Sequence, residues 1–374
     1  MRVYTAAMLQ PRILVNALSM SQGGGRSYVV NLLRELRRDQ RGFRFTLLAT
    51  PDQLAGLDVS GVELEAPRLP SRPRALRLPL RVLYEEIGLP ARARRFDLLY
   101  CIADICPPVA PVPVVVLMRN LNIYDRRFYD DVRLRMLFRL ARLGAPRARF
   151  AVFPSRAAAD AIRSTIPIDE ARVAVVHYGV SEAAFRTVEP VRHEAPYLFL
   201  PASPERHKNI ETLIESLRFA SEPRLELWIA GNSLLDPEHT RALERLAERL
   251  GVAERVRFLG PMPYAELLGY YRGAAAFVFP SLIESFGHPL LEAMLAETPV
   301  VASDIPTFRE IAGDTALYFP PLDAKALAAQ VDAVQGDPAA TASRVARARE
   351  RAAGFSWERS VDGLCALFER ALRR

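Results

Sequence analysis

The sequence predicts an α/β fold of two Rossmann-like, parallel-sheet domains facing each other across a cleft. Three observations predict it. The 374 residues exceed what one core usually organises, because single cores rarely grow beyond ~250 residues. Short apolar runs alternate with helical periodicity along nearly the whole chain, the pattern of a parallel sheet covered on both faces. The alternation pauses at the polar segment "EPVRHEAP" (189–196), which carries two prolines, and then restarts. The domain boundary is therefore expected at 190/191. Two such domains leave a cleft at the carboxyl ends of their strands, where ligands of open α/β sheets bind.

The elements follow in order. "RILVNAL" (12–18) reads as a buried strand and "SMSQGGG" as a loop. "RSYVVNLLRELRR" is then a helix with apolar residues at 29, 32, 33 and 36. "FRFTLLAT", "DLLYCI" and "PVPVVVLM" repeat the strand pattern. "DVRLRMLFRLARLG" has helical period, and "RFAVFPS" returns to a strand. "SRAAADAIRSTI" is a helix with Ser155 as its N-cap. "ARVAVVHYGV" closes this half. The second half alternates "YLFLPA", "LELWIAG", "VRFLG", "AFVFPS" and "PVVAS" as strands with four helical segments between them.

Composition narrows the class. Half the residues are hydrophobic and 25% charged, as in an ordinary soluble enzyme. Cys101, Cys106 and Cys365 show neither metal spacing nor an even framework, which points to a reducing compartment. The apolar run 109–118 is broken by prolines and too short to span a bilayer, and no secretory signal is read at the N-terminus. A cytoplasmic protein is expected. The net charge of +7 is uneven, with residues 1–190 basic and 191–374 slightly acidic. The basic half is expected to meet something anionic. Arg135, Arg139 and Arg142 share a helix face, and Arg68, Arg72, Arg74, Arg77 and Arg81 crowd a proline-broken segment. Anionic lipid on the inner face of the membrane is one partner such surfaces suit, a solvated charged face being the alternative. No motif or aromatic interleaving points to nucleic acid.

The chemistry concentrates in "PSLIESFGHPLLEAM" (280–294). A strand ends at Pro280 and a helix begins near Pro289, which suits the first helical position. Glu284 lies in the loop, and Glu292 lies one turn into the helix. The amides of Leu290 and Leu291 are expected to be free at the helix N-terminus, an anion site. Gly287 lets backbone approach a ligand. Two carboxylates for hydroxyls, with backbone donors for a phosphate between them, suit a sugar joined to a nucleotide through a pyrophosphate.

The stretch "FPSLIESFGHPLLEAMLAETPVVASDIPTFREIAGDTALYFPP" resembles the donor-site signature of the retaining GT-B glycosyltransferases of family 4. The likeness extends to "LFLPASPERHKNIETLIESL", "LWIAG" and "VRFLGPMPYAELLGYYRGAAAFVFPS", and less sharply to "FAVFPSRAAADAI" and "VVHYGV". It implies an acceptor-binding domain (1–190, rejoined by a helix at 356–374) and a donor-binding domain (191–355). It further implies that Glu284 contacts the donor sugar and Glu292 the ribose hydroxyls. Backbone around Ser285, Phe286, Gly287 and Leu291 would approach sugar and phosphate, with Met262 beside the nucleotide. Lys208, in "ERHKN", matches the family's phosphate-binding lysine, with Arg206 assisting. It and Lys325 are the only lysines of the chain. Ala202 stands where many relatives carry a further arginine, so either Arg206 substitutes or the phosphate is held differently.

Gly23, Gly24 and Gly25 place amides between the first strand and helix, for the donor phosphates or for the acceptor; a plain turn reads equally well. Arg119 and Asn120 occupy the place where many relatives have a catalytic histidine, and Arg119 is the candidate contact there. His177 and His288 are assigned no catalytic role. The expected activity is hexosyl transfer, with retention, from a GDP-, UDP- or dTDP-sugar to a glycan or lipid-linked acceptor, with no metal or other cofactor required. Assembly of lipopolysaccharide, O-antigen or exopolysaccharide is the expected setting. The alternatives are a sugar-nucleotide epimerase or hydrolase and a catalytically idle partner subunit.

Overall fold

A computed structural model describes residues 10–20, 24–38, 41–67, 74–181, 185 and 188–373. The chain divides into two compact units, Met1–His177 with Trp357–Arg374, and Tyr178–Ser356.

The first unit is built on strands β1 (Arg12–Asn16), β2 (Arg44–Leu48), β3 (Glu63–Glu65) and β4 (Leu98–Cys101). It continues through β5 (Val114–Leu117), β6 (Phe150–Phe153) and β7 (Val173–Val175). All pair in parallel, in the order β3-β2-β1-β4-β5-β6-β7. The runs "VVVL" and "FAVF" are buried along their whole length, as strands covered on both faces must be. The helices are α1 (Gly24–Leu36), α2 (Pro51–Leu54), α3 (Arg74–Leu83), α4 (Leu89–Ala93), α5 (Val132–Gly144) and α6 (Arg156–Arg163). In α1 the expected apolar face, Val29, Leu32, Leu33 and Leu36, is buried. Ser155 caps α6 by accepting the Ala158 N–H at 3.0 Å. From Arg74 onward the proline-broken segment is helical: α3 runs into a π-helical turn, Tyr84–Gly88, and then into α4. Pro79 lies inside α3, and Pro90 is the second residue of α4.

The second unit carries β8 (Tyr197–Leu200), β9 (Glu226–Ala230), β10 (Val256–Gly260), β11 (Ala276–Phe279), β12 (Val300–Ser303) and β13 (Leu317–Phe319). They form a parallel sheet in the order β10-β9-β8-β11-β12-β13. Its helices are α7 (Ile210–Ser216), α8 (Pro237–Arg249), α9 (Tyr264–Gly273) and α10 (His288–Leu295), followed by α11 (Pro306–Ala312), α12 (Ala324–Gly336) and α13 (Pro338–Ala353). The segment 189–196, expected as a linker, instead packs on α9. The Val191 N–H donates to the Gly269 carbonyl at 2.9 Å, and the Tyr197 hydroxyl to the Val191 carbonyl at 3.2 Å. The chain crosses between the units earlier, at His177/Tyr178.

The last helix, α14 (Trp357–Leu372), belongs to the first unit. Phe368 is fully buried against Tyr100, their ring centroids 5.2 Å apart, and Trp357 meets Tyr28 edge-on at 5.9 Å.

Candidate functional site

In the second sheet the strand order reverses between β8 and β11, the switch point at which open α/β sheets bind ligands. The loops that follow these two strands are fastened together. Asn209, buried and left-handed at φ 53°, donates its side-chain amide to the Pro280 carbonyl at 3.1 Å. The Leu282 N–H donates to the His207 carbonyl at 2.9 Å. This stapling brings Lys208 and Glu284 together, 76 residues apart in sequence.

Lys208 Nζ donates to Glu284 Oε1 at 2.5 Å, and the Ser281 hydroxyl donates to the same oxygen at 3.2 Å. The Thr307 hydroxyl holds the Glu284 carbonyl at 2.6 Å. Oε2 of Glu284 has no hydrogen-bond partner among the described residues, so it can accept from a ligand hydroxyl. Sequence reasoning missed a third carboxylate here. Glu205 is half-buried, and burial pushes its pKa up, with Lys208 lowering and Glu284 raising it. His207 is held neutral, its pKa lowered to about 3 by burial and then by the neighbouring Lys208.

The strand-to-helix corner differs from expectation in two details. Helix α10 starts at His288, so Pro289 is its second residue. The Leu290 N–H donates back to the Gly287 carbonyl at 2.9 Å, a tightened first turn that occupies a donor expected to be free. Gly287 itself has φ 88°, a backbone that favours glycine, and a Cβ there would press on Phe308 Cε1 at 3.1 Å. Phe286 and Leu291 are buried, leaving only their backbone for a ligand, while Ser285 and Met262 are half-buried and Arg206 is exposed. His288 stacks on Tyr178 at 5.2 Å, its Nε2 3.1 Å from the Gly179 carbonyl, a packing role.

Glu292, half-buried, is engaged by a pair of tyrosines that the sequence reading did not single out. The Tyr271 hydroxyl donates to Oε2 at 2.7 Å, and Tyr264 bonds the same carboxylate. The two tyrosines lie seven residues apart on α9, hence on one face. Burial pushes the Glu292 pKa up, and the two hydroxyls pull it down.

In the first unit the structure brings Arg119 to the start of α1. A Cβ on Gly25 would lie 2.7 Å from Arg119 Nη2, so the guanidinium lies over backbone that only glycine exposes. Gly24 opens the same helix; Gly23 lies outside the described residues. Asp104, buried and left-handed at φ 52°, fixes this loop by accepting from the Arg119 and Asn120 N–H groups at 2.9 and 3.1 Å.

The arginine surface is partly neutralised. Arg135 pairs with Asp130 at 2.6 Å, and Arg81 faces the buried Glu85 at 3.3 Å, not solvent. Arg139 and Arg142 are exposed. Arg68 and Arg72 lie outside the described residues, as do the side chains of Arg74 and Arg77. Among the described residues no group of His, Cys, Asp and Glu could hold a metal ion, and no helix is long and apolar enough to cross a membrane.

Two open parallel sheets, each with loops and helix starts gathered at its carboxyl edge, define a doubly wound α/β protein of the GT-B class. The family model for Glycosyltransferase Family 4 matches residues 22–183, and that for Glycosyl transferases group 1 matches residues 181–352. The chain belongs to the group 1 glycosyltransferases of family 4. It is 30% identical over 217 residues to the O-antigen chain mannosyltransferase RfbU of Salmonella typhimurium, covering 56% of this chain and 60% of that protein. It spans about half the length of the D-inositol 3-phosphate glycosyltransferases it also matches. In fold it is similar to sucrose-phosphate synthase from Thermosynechococcus elongatus, with a TM-score of 0.78 and 20% identity over 97% of this chain and 99% of that one. It is likewise similar to Anabaena HepE solved with UDP-glucose, with a TM-score of 0.75 and 18% identity over 96% of this chain and all of that one.

Proposed function

We propose that the protein transfers a hexosyl group from a nucleotide sugar to a hydroxyl of a glycan or lipid-linked acceptor, retaining the anomeric configuration, in cell-surface glycan assembly. The observation that carries this reading is the Lys208–Glu284 pair at the second unit's switch point, with Glu292 one turn into the following helix. Lys208 would bind the diphosphate and neutralise the charge that develops as it leaves, the electrostatic contribution that usually dominates such reactions. Glu284 Oε2 would take a sugar hydroxyl and Glu292 the ribose hydroxyls. Arg119 and the Gly24–Gly25 turn would serve a phosphate or the acceptor. The leaving phosphate would take the acceptor's proton, since no side-chain nucleophile is assigned. The names of the relatives support the class: one is an O-antigen chain mannosyltransferase, and one structural neighbour holds UDP-glucose.

A panel of GDP-, UDP- and dTDP-sugars screened by thermal shift tests this. A donor at a hundredfold excess over its Kd stabilises by ~2.7 kcal/mol, a shift of several degrees. Slow hydrolysis of that donor, and faster release when glycan acceptors are added, would mark a transferase. A protein that none of the donors stabilises would sink the reading. A donor turned over equally with and without acceptors would mark an epimerase or hydrolase.

A further inference from the structure

The amino-terminal edge of the first sheet, opposite the edge where α/β ligands bind, carries a feature that donor chemistry does not use. Two adjoining cavities, of about 510 and 370 Å³, open there. They lie beside the starts of β5, β6 and β7 and the end of α14, and they share Arg149, Arg172 and Arg373. Arg147 lines the larger cavity and Arg370 the smaller.

None of these five arginines pairs with a carboxylate among the described residues. Arg147 donates to the Leu143 carbonyl, and Arg172 to the Pro146 and Ala148 carbonyls. Arg149 and Arg370 lie 5.7 and 4.8 Å from the same ring, that of Phe150. One acid, Asp169, lines the smaller cavity with its Oδ1 holding the Ala171 N–H, while Glu170 is taken by Arg156 and Arg163, so the arginines outnumber the carboxylate at the cavity wall. Gathered like charges repel, and an anion between them relieves that repulsion. The planar guanidinium fork matches phosphate oxygens. The larger cavity is also lined by the apolar Pro107, Pro108 and Val109, the last 77% exposed.

We propose that these cavities form a second anion site, for a phosphate or diphosphate group, separate from the donor site. That chemistry is carried both by an anionic lipid headgroup and by a soluble phosphate compound.

The test uses the full chain with Arg149, Arg370 and Arg373 all changed to Gln. All three are exposed, and none of their side chains bonds a backbone carbonyl, so the fold should be spared. Inorganic pyrophosphate is titrated calorimetrically into wild type, Lys208→Ala, and Lys208→Ala combined with the triple change. Vesicles of phosphatidylcholine, with and without phosphatidylglycerol, are sedimented with wild type, with the triple variant, and with a variant carrying Gln at 135, 139 and 142. We expect pyrophosphate binding to persist in Lys208→Ala, or phosphatidylglycerol binding to be reduced but not abolished in the α5 variant. In the triple variant it should weaken about tenfold for each guanidinium that contacts phosphate. Loss in the vesicle arm identifies a lipid headgroup, and loss in the pyrophosphate arm a soluble ligand. Binding unchanged by the triple change in both arms overturns the site. Nucleoside diphosphate affinity, which depends on Lys208, reports separately on the donor reading.

Discussion

Lys208 and Glu284 neutralise one another: Nζ and Oε1 are 2.5 Å apart, with 16% and 13% of the side chains exposed. On the proposed reading, the cation for the phosphate and the carboxylate for the sugar are held ready by a single contact. A donor that takes Lys208 to its diphosphate must leave Glu284 the sugar's hydroxyls as substitute partners. The pair would then couple recognition of the two halves of the donor.

Lys208→Ala should therefore weaken nucleoside diphosphate binding by about 1.5–3 kcal/mol, the value of a charge-assisted contact. Calorimetry with the nucleotide found in the donor panel measures this, and unchanged affinity would remove Lys208 from the site.

Glu284→Gln should behave differently, because its proposed ligand partner is the sugar. Nucleoside diphosphate affinity should stay near wild type while transfer falls about tenfold or more, ~1.4 kcal/mol of barrier. Normal transfer rates would show that Glu284 serves only to hold the loop.

Tyr271→Phe should act through Glu292. Without the 2.7 Å bond to Oε2, the carboxylate loses one of the two hydroxyls that orient it. Wild type should prefer a nucleoside diphosphate over its dideoxyribose counterpart by about tenfold, and the variant should lose most of that preference. Glu292→Ala should lose it entirely. Equal discrimination by all three proteins would place the ribose elsewhere.

His207 makes stability depend on pH. Unfolded, an imidazole titrates near ~6.5, whereas in the native chain it stays neutral down to about 3. Between those values the unfolded state binds a proton that the native state does not. Its contribution is complete above about pH 6.5 and falls on acidification, by up to ~1.4 kcal/mol per pH unit. The stability difference between wild type and His207→Gln, from urea unfolding, should thus shrink between about pH 6 and pH 4. A constant difference would contradict the buried neutral state.

For the exposed face of α5, sedimentation with anionic vesicles should show binding that weakens as salt shortens the Debye length below ~8 Å. Each free arginine should add about 1 kcal/mol. Arg139→Gln and Arg142→Gln should matter more than Arg135→Gln, whose charge Asp130 already meets. Equal effects from all three would show that the Asp130 pair does not form at the membrane.

Much of the fold was legible, because strands buried on both faces announce themselves as apolar runs and β1, β5, β6, β8 and β11 are such runs. The region of α3 and α4 was not. Its prolines suggest breaks, yet Pro79 lies inside α3 and Pro90 near the start of α4, and the helical path continues between them through a π-helical turn. Within the site, Glu284, Glu292 and Lys208 stood out through their motifs. Asn209, Glu205 and Tyr271 did not. Their roles arise from contacts such as Asn209 with Pro280, 71 residues apart, which no local pattern encodes. The occupied Leu290 amide was missed for a smaller reason: moving the helix start by one residue changes which N–H groups remain free.

The placement of α14 governs how the protein is made. Phe368 closes a cluster with Phe43, Phe45 and Tyr100, and α14 lies along α1. None of that cluster can be completed until the ribosome has synthesised residues 178–356, the entire second unit. At ordinary elongation rates that interval lasts on the order of ten to forty seconds. The N-terminal sheet therefore waits, with aromatic rings uncovered, while the unit made after it can finish folding first. A stop codon just past residue 356 would spare the nearby second unit and instead cripple the distant N-terminal one.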